Sequence, residues 1–278
     1  MDAGVPRLRL TAGRWIVLAA LAFVAACTSS PLGRSQLILY PEADVAAMGQ
    51  AAFAEMQSQT PLLREGRTNR YVQCVADQLL RSMPGTDPAT WEVRVFDDPA
   101  INAFALPGRK IGVYRGLLDV AVDQHQLAAV IGHEIAHVTA RHANERISTQ
   151  AVADSGLQIV QIAAGSISPA RSELFGLLGL GAQVGLLLPF NRAQESEADL
   201  VGQEVMANAG FDPRASVTLW RNMARATAAD QAGARQPDFL STHPSSAARI
   251  NELEGRMPAA MARYDAARRS GRAPDCTR

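Results

Sequence analysis

The chain has 278 residues, 47% of them hydrophobic, and its 27 basic side chains balance 27 acidic ones. That composition supports a substantial core in one large domain or two small ones, and it carries neither a global field for nucleic acid nor a basic run for an electrostatic membrane patch. Aromatic residues at 5% leave little for stacking on bases or sugars.

The first element is a targeting signal. Arg7, Arg9 and Arg14 lead into an apolar run from Trp15 to Ala26. The run is too short for a bilayer span of about 20 residues but suits the core of a signal peptide. It ends in Val24-Ala25-Ala26-Cys27, which resembles a bacterial lipobox, with Cys27 as the site of lipidation. An ordinary signal peptide with a cysteine nearby fits the same letters. Thr28 stands where an Asp would mark inner-membrane retention, so that resemblance favours the outer membrane. The expected division is a signal peptide over 1–26, a tether over 27–44 and one domain over 45–278. Cys74 and Cys276 then remain. In an oxidising compartment they can bridge and clamp the C-terminal tail to an early helix, or stay as two separate thiols.

Helical spacing marks 43–58 and 68–82, with Tyr71, Val72, Val75 and Leu79 on one stripe of the second. Pro84-Gly85 stops it. Alternation over 91–96 predicts a strand, Asp97-Asp98-Pro99 a turn, and 102–106 and 110–114 two more extended pieces separated by Pro107-Gly108. Asp123 and Gln126 stand as N-cap and N3 in a capping-box-like arrangement, opening a helix that can run to about Arg146. Residues 151–190 are apolar and Gly-rich. They read as a buried helix pair or a flap over a cleft, better than as a membrane span, because four glycines interrupt 174–190 and no charges flank it sharply. A helix over 192–209 should end at Gly210, with Pro213 opening another over 214–228. A polar stretch then leads to Thr242-His243-Pro244 and a last helix from about Ser245. No internal repeat is present. The fold class expected is α+β, predominantly helical, with one small sheet.

The chemistry begins at VIGHEIAHVTARH, residues 130–142. His133 and His137 lie about 40° apart around a helix and one turn apart along it, so both imidazoles can reach one ion. Glu134 is rotated about 100° from His133 and faces a water rather than the ion. This is the H-E-x-x-H arrangement, with the Glu as general base. His142 falls about 180° from His133 and reads as structural; His125 reads as a surface or capping residue. Two His leave a tetrahedral site one protein ligand short. In ESEAD, residues 195–199, Glu195 and Asp199 share the face that continues with Ala198, Gly202, Val205, Met206 and Ala209. Glu197 lies about 200° away on the face of Glu204 and Asn208, toward solvent. Two inward carboxylates call for a cation: Glu195 as third ligand, Asp199 behind a histidine ligand. A salt bridge to Arg192 accounts for either carboxylate alone but not for the pair.

HEIAH followed by E-x-x-A-D resembles the gluzincin metallopeptidases that include the HtpX heat-shock proteases and the CAAX prenyl proteases. The signal peptide and lipobox look most like their periplasmic lipoprotein branch, of BepA and LoiP type. The resemblance covers roughly 45–255 and implies a zincin-like domain with one Zn2+ per chain. It implies His133, His137 and Glu195 as zinc ligands, Glu134 as the catalytic base and Asp199 as the Asp of the second motif. The segment 101–118 resembles the strand at the edge of the cleft, which can bind an extended peptide by strand addition. Gly108-Arg109 stands where the family commonly has Gly-Gly. STHPSSAARI, 241–250, resembles the late His-Pro segment, where His243 gates the zinc as a fourth ligand, stabilises an oxyanion, or simply caps a helix. The implied function is a lipid-anchored zinc endopeptidase on the periplasmic side, degrading unfolded or unassembled envelope and outer-membrane proteins, with no nucleic-acid partner. The alternative is a chaperone-like protein that holds clients around a closed, mainly structural zinc.

Overall fold

A computed structural model describes residues 27–163, 190–230, 238–243 and 247–278. The expected signal peptide over 1–26, and all of 174–190 except Phe190, lie outside the described residues. Among the described residues no helix is long and apolar enough to cross a membrane.

The described residues open with a small antiparallel hairpin, β1 (Cys27–Ser29) and β2 (Ser35–Leu37), pairing Thr28 with Gln36. Helices α1 (Glu42–Gln59) and α2 (Gly66–Arg81) follow. The α2 stripe behaves as its spacing predicts, with Tyr71, Val72, Val75, Ala76, Leu79 and Leu80 all buried. Burial of such side chains stabilises by about 1.5–3 kcal/mol for each of the larger ones. Next come β3 (Glu92–Phe96), β4 (Ala103–Leu106) and β5 (Lys110–Tyr114), in the order β3-β5-β4. β5 lies between β3, to which it is parallel, and β4, to which it is antiparallel, so among the described residues β4 is an edge strand. The β4–β5 turn uses left-handed backbone at both Gly108 (φ 80) and Arg109 (φ 63). A Cβ on Gly108 would come within 2.9 Å of the Ala46 carbonyl oxygen. Arg109 takes its strained φ while donating from Nη1 to Thr90 Oγ1 at 2.7 Å.

Helix α3 (Gln124–Thr139) crosses the middle of the molecule, and every residue from Gln126 to His137 is buried. Asp123 caps it by accepting from the N–H groups of His125 and Gln126. The reciprocal half of the expected box is missing, because Gln126 Nε2 turns to the Asp123 side chain instead of its backbone. The helix also stops short of Arg146. Thr139 bonds back to the Ile135 and Ala136 carbonyls, Arg141 takes φ 55, and a new helix α4 (His142–Ala163) starts in another direction. No Gly or Pro announces this break.

Helix α5 (Arg192–Ala209) has the full reciprocal box, Asn191 with Gln194, and ends at Gly210 with φ 87 as expected. Helices α6 (Arg214–Asp230), α7 (Asp238–Thr242) and α8 (Ala247–Arg269) complete the fold. α3, α5, α6 and α2 bury one continuous core that also takes in β3 and β5. Cys74 and Cys276 are disulfide-bonded, with Cα atoms 5.8 Å apart, tying the tail to α2. The architecture is the predominantly helical α+β domain expected, with a second, two-stranded sheet at its start.

Residues 28–36, read from sequence as part of a tether, are packed instead. Gln36 Nε2 donates to the Ala140 carbonyl (2.7 Å), and the Leu39 N–H donates to Ser148 Oγ (2.9 Å). Arg34 pairs with Glu145 and Glu197. A two-stranded hairpin is marginal alone; contacts with α4 and α5 hold this one.

Candidate metal centre

Three segments converge under the sheet. Helix α3 presents His133 and His137 one turn apart, α5 presents Glu195 from its first turn, and His243 follows the end of α7. One donor atom from each of these four residues lies within 4.8 Å of the other three. His133 Nε2 is 3.0 Å from His137 Nε2 and 3.2 Å from His243 Nδ1. Glu195 Oε1 is 2.9 Å from His243 Nδ1 and 3.4 Å from His137 Nε2. Four ligands at zinc-bond distances of about 2.0–2.1 Å around a tetrahedron stand about 3.3 Å apart. The donor set fits zinc in spacing and in chemistry, since imidazole nitrogens aimed at one point need a shared cation between their lone pairs.

The electrostatics agree with that fit. Burial holds the His137 imidazolium well below its ordinary pKa, so the ring is neutral. Burial pushes the Glu195 carboxyl up, but His243, His137 and His133 outweigh it and keep the group ionised. A neutral imidazole and an ionised carboxylate are the protonation states that bind metal.

Glu134 sits beside the cluster. Its Oε2 accepts from the Ala105 N–H on edge strand β4 at 2.9 Å, while Oε1 lies 3.4 Å from His243 Nε2. Burial raises its pKa, against the pull of His243 and His133. Asp199 lies behind His133, with Oδ1 3.0 Å from Nδ1, and not beside Arg192. Its cation is Arg249, which donates Nε to Oδ2 and Nη2 to Oδ1 (2.8 Å for the latter) and stacks over Trp220. Burial raises Asp199, yet Arg249 and His133 together hold it below the ordinary carboxylate range.

The sequence reading of Glu197 is corrected. It was expected in solvent, but it is only 4% exposed, because the hairpin covers that face of α5. Leu32 N–H donates to Oε1 at 3.1 Å, and Arg34 Nε to Oε2 at 3.1 Å. His142, read as structural from its phase about 180° from His133, is not among the four clustered donors, and it approaches His137 with Nδ1 to Nδ1 at 2.9 Å. One straight helix would carry the ring to the far side; the break at Arg141 swings it back. His125 receives the Asp212 N–H on Nδ1 and packs on Phe211, as a capping partner would. Phe190, Arg249 and Arg34 were not singled out from sequence. Phe190 stacks on His137 with ring centroids 3.9 Å apart, closing one side of the cluster. None of the three carries a local periodic signal, since each reaches the site from a distant segment.

The model of peptidase family M48 matches residues 66–257. Relatives include the mitochondrial metalloendopeptidase OMA1 of Schizosaccharomyces pombe, 38% identical over 222 residues, covering 78% of this chain and 62% of that protein. Metalloendopeptidase OMA1, mitochondrial, of Homo sapiens is 30% identical over 243 residues, 84% of this chain and 46% of its own. The beta-barrel assembly-enhancing protease of Escherichia coli (strain K12) is 27% identical over 216 residues, 75% and 43% of the two chains. The chain thus spans about half the length of the curated relatives it matches. These comparisons overturn the expectation of a lipid-anchored outer-membrane location: the more similar relatives are mitochondrial proteases, and the beta-barrel assembly-enhancing proteases stand at lower identity.

Proposed function

Because the chain belongs to peptidase family M48, matched over residues 66–257, we propose that it is a zinc-dependent endopeptidase. His133, His137 and Glu195 hold the ion, and His243 is a displaceable fourth donor. The observation that carries this reading is a closely spaced set of four buried donors with a buried carboxylate, Glu134, beside it. Zinc held there supplies a Lewis acid that acidifies water and polarises a peptide carbonyl.

The chain's own residues do the rest. The Ala105 N–H fixes Glu134 through Oε2 and leaves Oε1 facing the cluster. Oε1 takes a proton from the attacking water and returns it to the leaving amine. A carboxyl with a raised pKa holds that proton between the two steps. Edge strand β4 offers the outward backbone groups of Ala103 and the carbonyl of Ala105, whose N–H is held by Glu134, to an extended chain, which selects protein segments lacking their own strand partners. Misfolded or unassembled proteins fit that requirement, and the name of the Escherichia coli relative, a beta-barrel assembly-enhancing protease, favours unassembled beta-barrel proteins among them.

A client-holding protein around a structural zinc is the second reading. It is favoured by the completeness of the set: with His243 in place, four buried protein donors leave no open position. A peptidase must displace His243. The test is cleavage of casein by zinc-loaded parent, Glu134→Gln and His243→Ala proteins. The endopeptidase reading expects Glu134→Gln to keep its zinc and lose about 10²–10⁴-fold in rate, and His243→Ala to cleave at least as fast as the parent. Equal cleavage by parent and Glu134→Gln, or zinc-loaded parent and His243→Ala that are both inert, sinks it.

A further inference from the structure

We propose that Arg34, on the N-terminal hairpin, is a positioning residue for the metal ligand His137, acting through Glu197 and His142; the metal in this proposal rests on the zinc reading above. The two histidines of α3 are backed differently. His133 Nδ1 meets a carboxylate directly, Asp199, which is clamped by Arg249. His137 Nδ1 meets another imidazole, that of His142, at 2.9 Å. His142 Nε2 in turn lies 3.2 Å from Glu197 Oε2. Glu197 is clamped by Arg34, through Nε at 3.1 Å and Nη2 at 3.0 Å. Each ligand histidine therefore ends on a carboxylate held by an arginine, one directly and the other through an inserted imidazole.

The hydrogen-bond polarity of the longer chain is forced from both ends. An ionised Glu197 only accepts, so His142 Nε2 carries a proton and its Nδ1 is left as an acceptor. His137 must then donate from Nδ1, which leaves a lone pair on Nε2, the atom that faces the other donors. Had His142 the opposite tautomer, its Nδ1–H would donate to His137 Nδ1, the proton of His137 would sit on Nε2, and the lone pair facing the other donors would be lost. Such outer partners fix the ring of a metal-bound histidine and raise its basicity.

Arg34 supplies the cation that the buried Glu197 carboxylate meets, beside hydrogen bonds from Ser30 and the Leu32 N–H. Its guanidinium also pairs with Glu145, through Nη1 and through Nη2 at 2.7 Å, so one cation compensates two carboxylates. His142 is fully buried and Glu197 is 4% exposed, so water does not replace the guanidinium there. The Leu32 N–H on Glu197 Oε1 comes from the same hairpin. The hairpin thus reaches the metal site over more than a hundred residues of sequence through three side chains.

The experiment uses the full chain, stripped of metal, with zinc affinity read by competition against a chelating dye. Arg34→Ala and Glu197→Gln are each expected to weaken zinc binding by about 10–100-fold. The double variant should be no weaker than the weaker single within about threefold, because both act in one chain of contacts. Arg34→Lys, which keeps the charge but loses the fork, should fall between parent and Arg34→Ala. A merely structural hairpin would lower the unfolding temperature of metal-free and zinc-loaded protein alike and leave the affinity unmoved. Zinc affinity of folded Arg34→Ala within about twofold of the parent, or fully additive losses in the double variant, overturns the proposal. Arg34 lies on a surface hairpin, its side chain 28% exposed, so its variants keep the test decisive should Glu197→Gln fail to fold. The readout is binding, so a zinc-loaded parent that cleaves nothing counts against the peptidase reading alone.

Discussion

Gly202→Ala isolates the contact on which the metal centre is built. Helices α3 and α5 meet backbone to backbone at Gly132 and Gly202. A Cβ on Gly202 would lie 2.8 Å from the His133 nitrogen, 2.9 Å from the Gly132 carbonyl carbon and 3.0 Å from the His133 Cα. All three are main-chain atoms, so no side chain can swing aside. Relief requires α5 to withdraw by about half an ångström. Overpacking of this kind costs about 1–3 kcal/mol, and the better helix propensity of Ala offsets about 0.5–1 kcal/mol. A net loss of about 1–2 kcal/mol is expected in urea unfolding of the metal-free protein. The same shift moves Glu195 and Asp199, which ride on α5, away from His133. A site that tolerates about 0.5 Å of error should then bind zinc at least about tenfold more weakly. Gly255 on α8 is the control, because a Cβ there meets nothing within 4 Å. Gly255→Ala should stabilise by about 0.5–1 kcal/mol. If Gly202→Ala stabilises the chain as much as Gly255→Ala and binds zinc like the parent, the close-approach reasoning is wrong.

Two further outcomes can be checked on the same protein. The Cys74–Cys276 bridge spans 202 residues, so reduction or a Cys74→Ser/Cys276→Ser pair should cost about 2–5 kcal/mol in urea unfolding; an unchanged midpoint would show that the tail contributes nothing through it. Burial raises the Glu145 carboxyl, but Arg34, Gln194 and Gln36 outweigh it and hold it below its ordinary value. Its stabilising contribution is therefore complete above the unfolded carboxyl pKa of about 4.3 and drains away as pH falls through the lower folded value. Glu145→Gln should lower the unfolding midpoint at neutral pH, and the gap to the parent should close on acidification; a gap that stays constant to low pH refutes the assignment.

Sequence by itself determined whatever helical period controls. His133 and His137 are four residues apart, and α3 sets them on one side of one point. Glu195 and Asp199 share a face of α5 for the same reason, and Gly202 continues that face toward the backbone of α3. Gly210 marked the end of α5 from local chemistry alone. Period says which way a side chain leaves its helix, but not what waits there. Glu197 points away from the metal, as its phase requires, yet it meets Arg34 and Leu32 from the far N-terminus instead of water. His142 comes beside His137, and not to the far side of one straight helix, because the left-handed residue that breaks the helix is Arg141, an amino acid with no turn preference to read. His243, Arg249 and Phe190 reach the cluster from segments distant in the chain, so only the packing of α3 and α5 with α7 and α8 decided that they meet. The tertiary structure, then, decided among the places open to His243 by setting it beside His133, His137 and Glu195, and it supplied the arginines behind His133 and His137, because charge pairing across long separations leaves no periodic trace in a sequence.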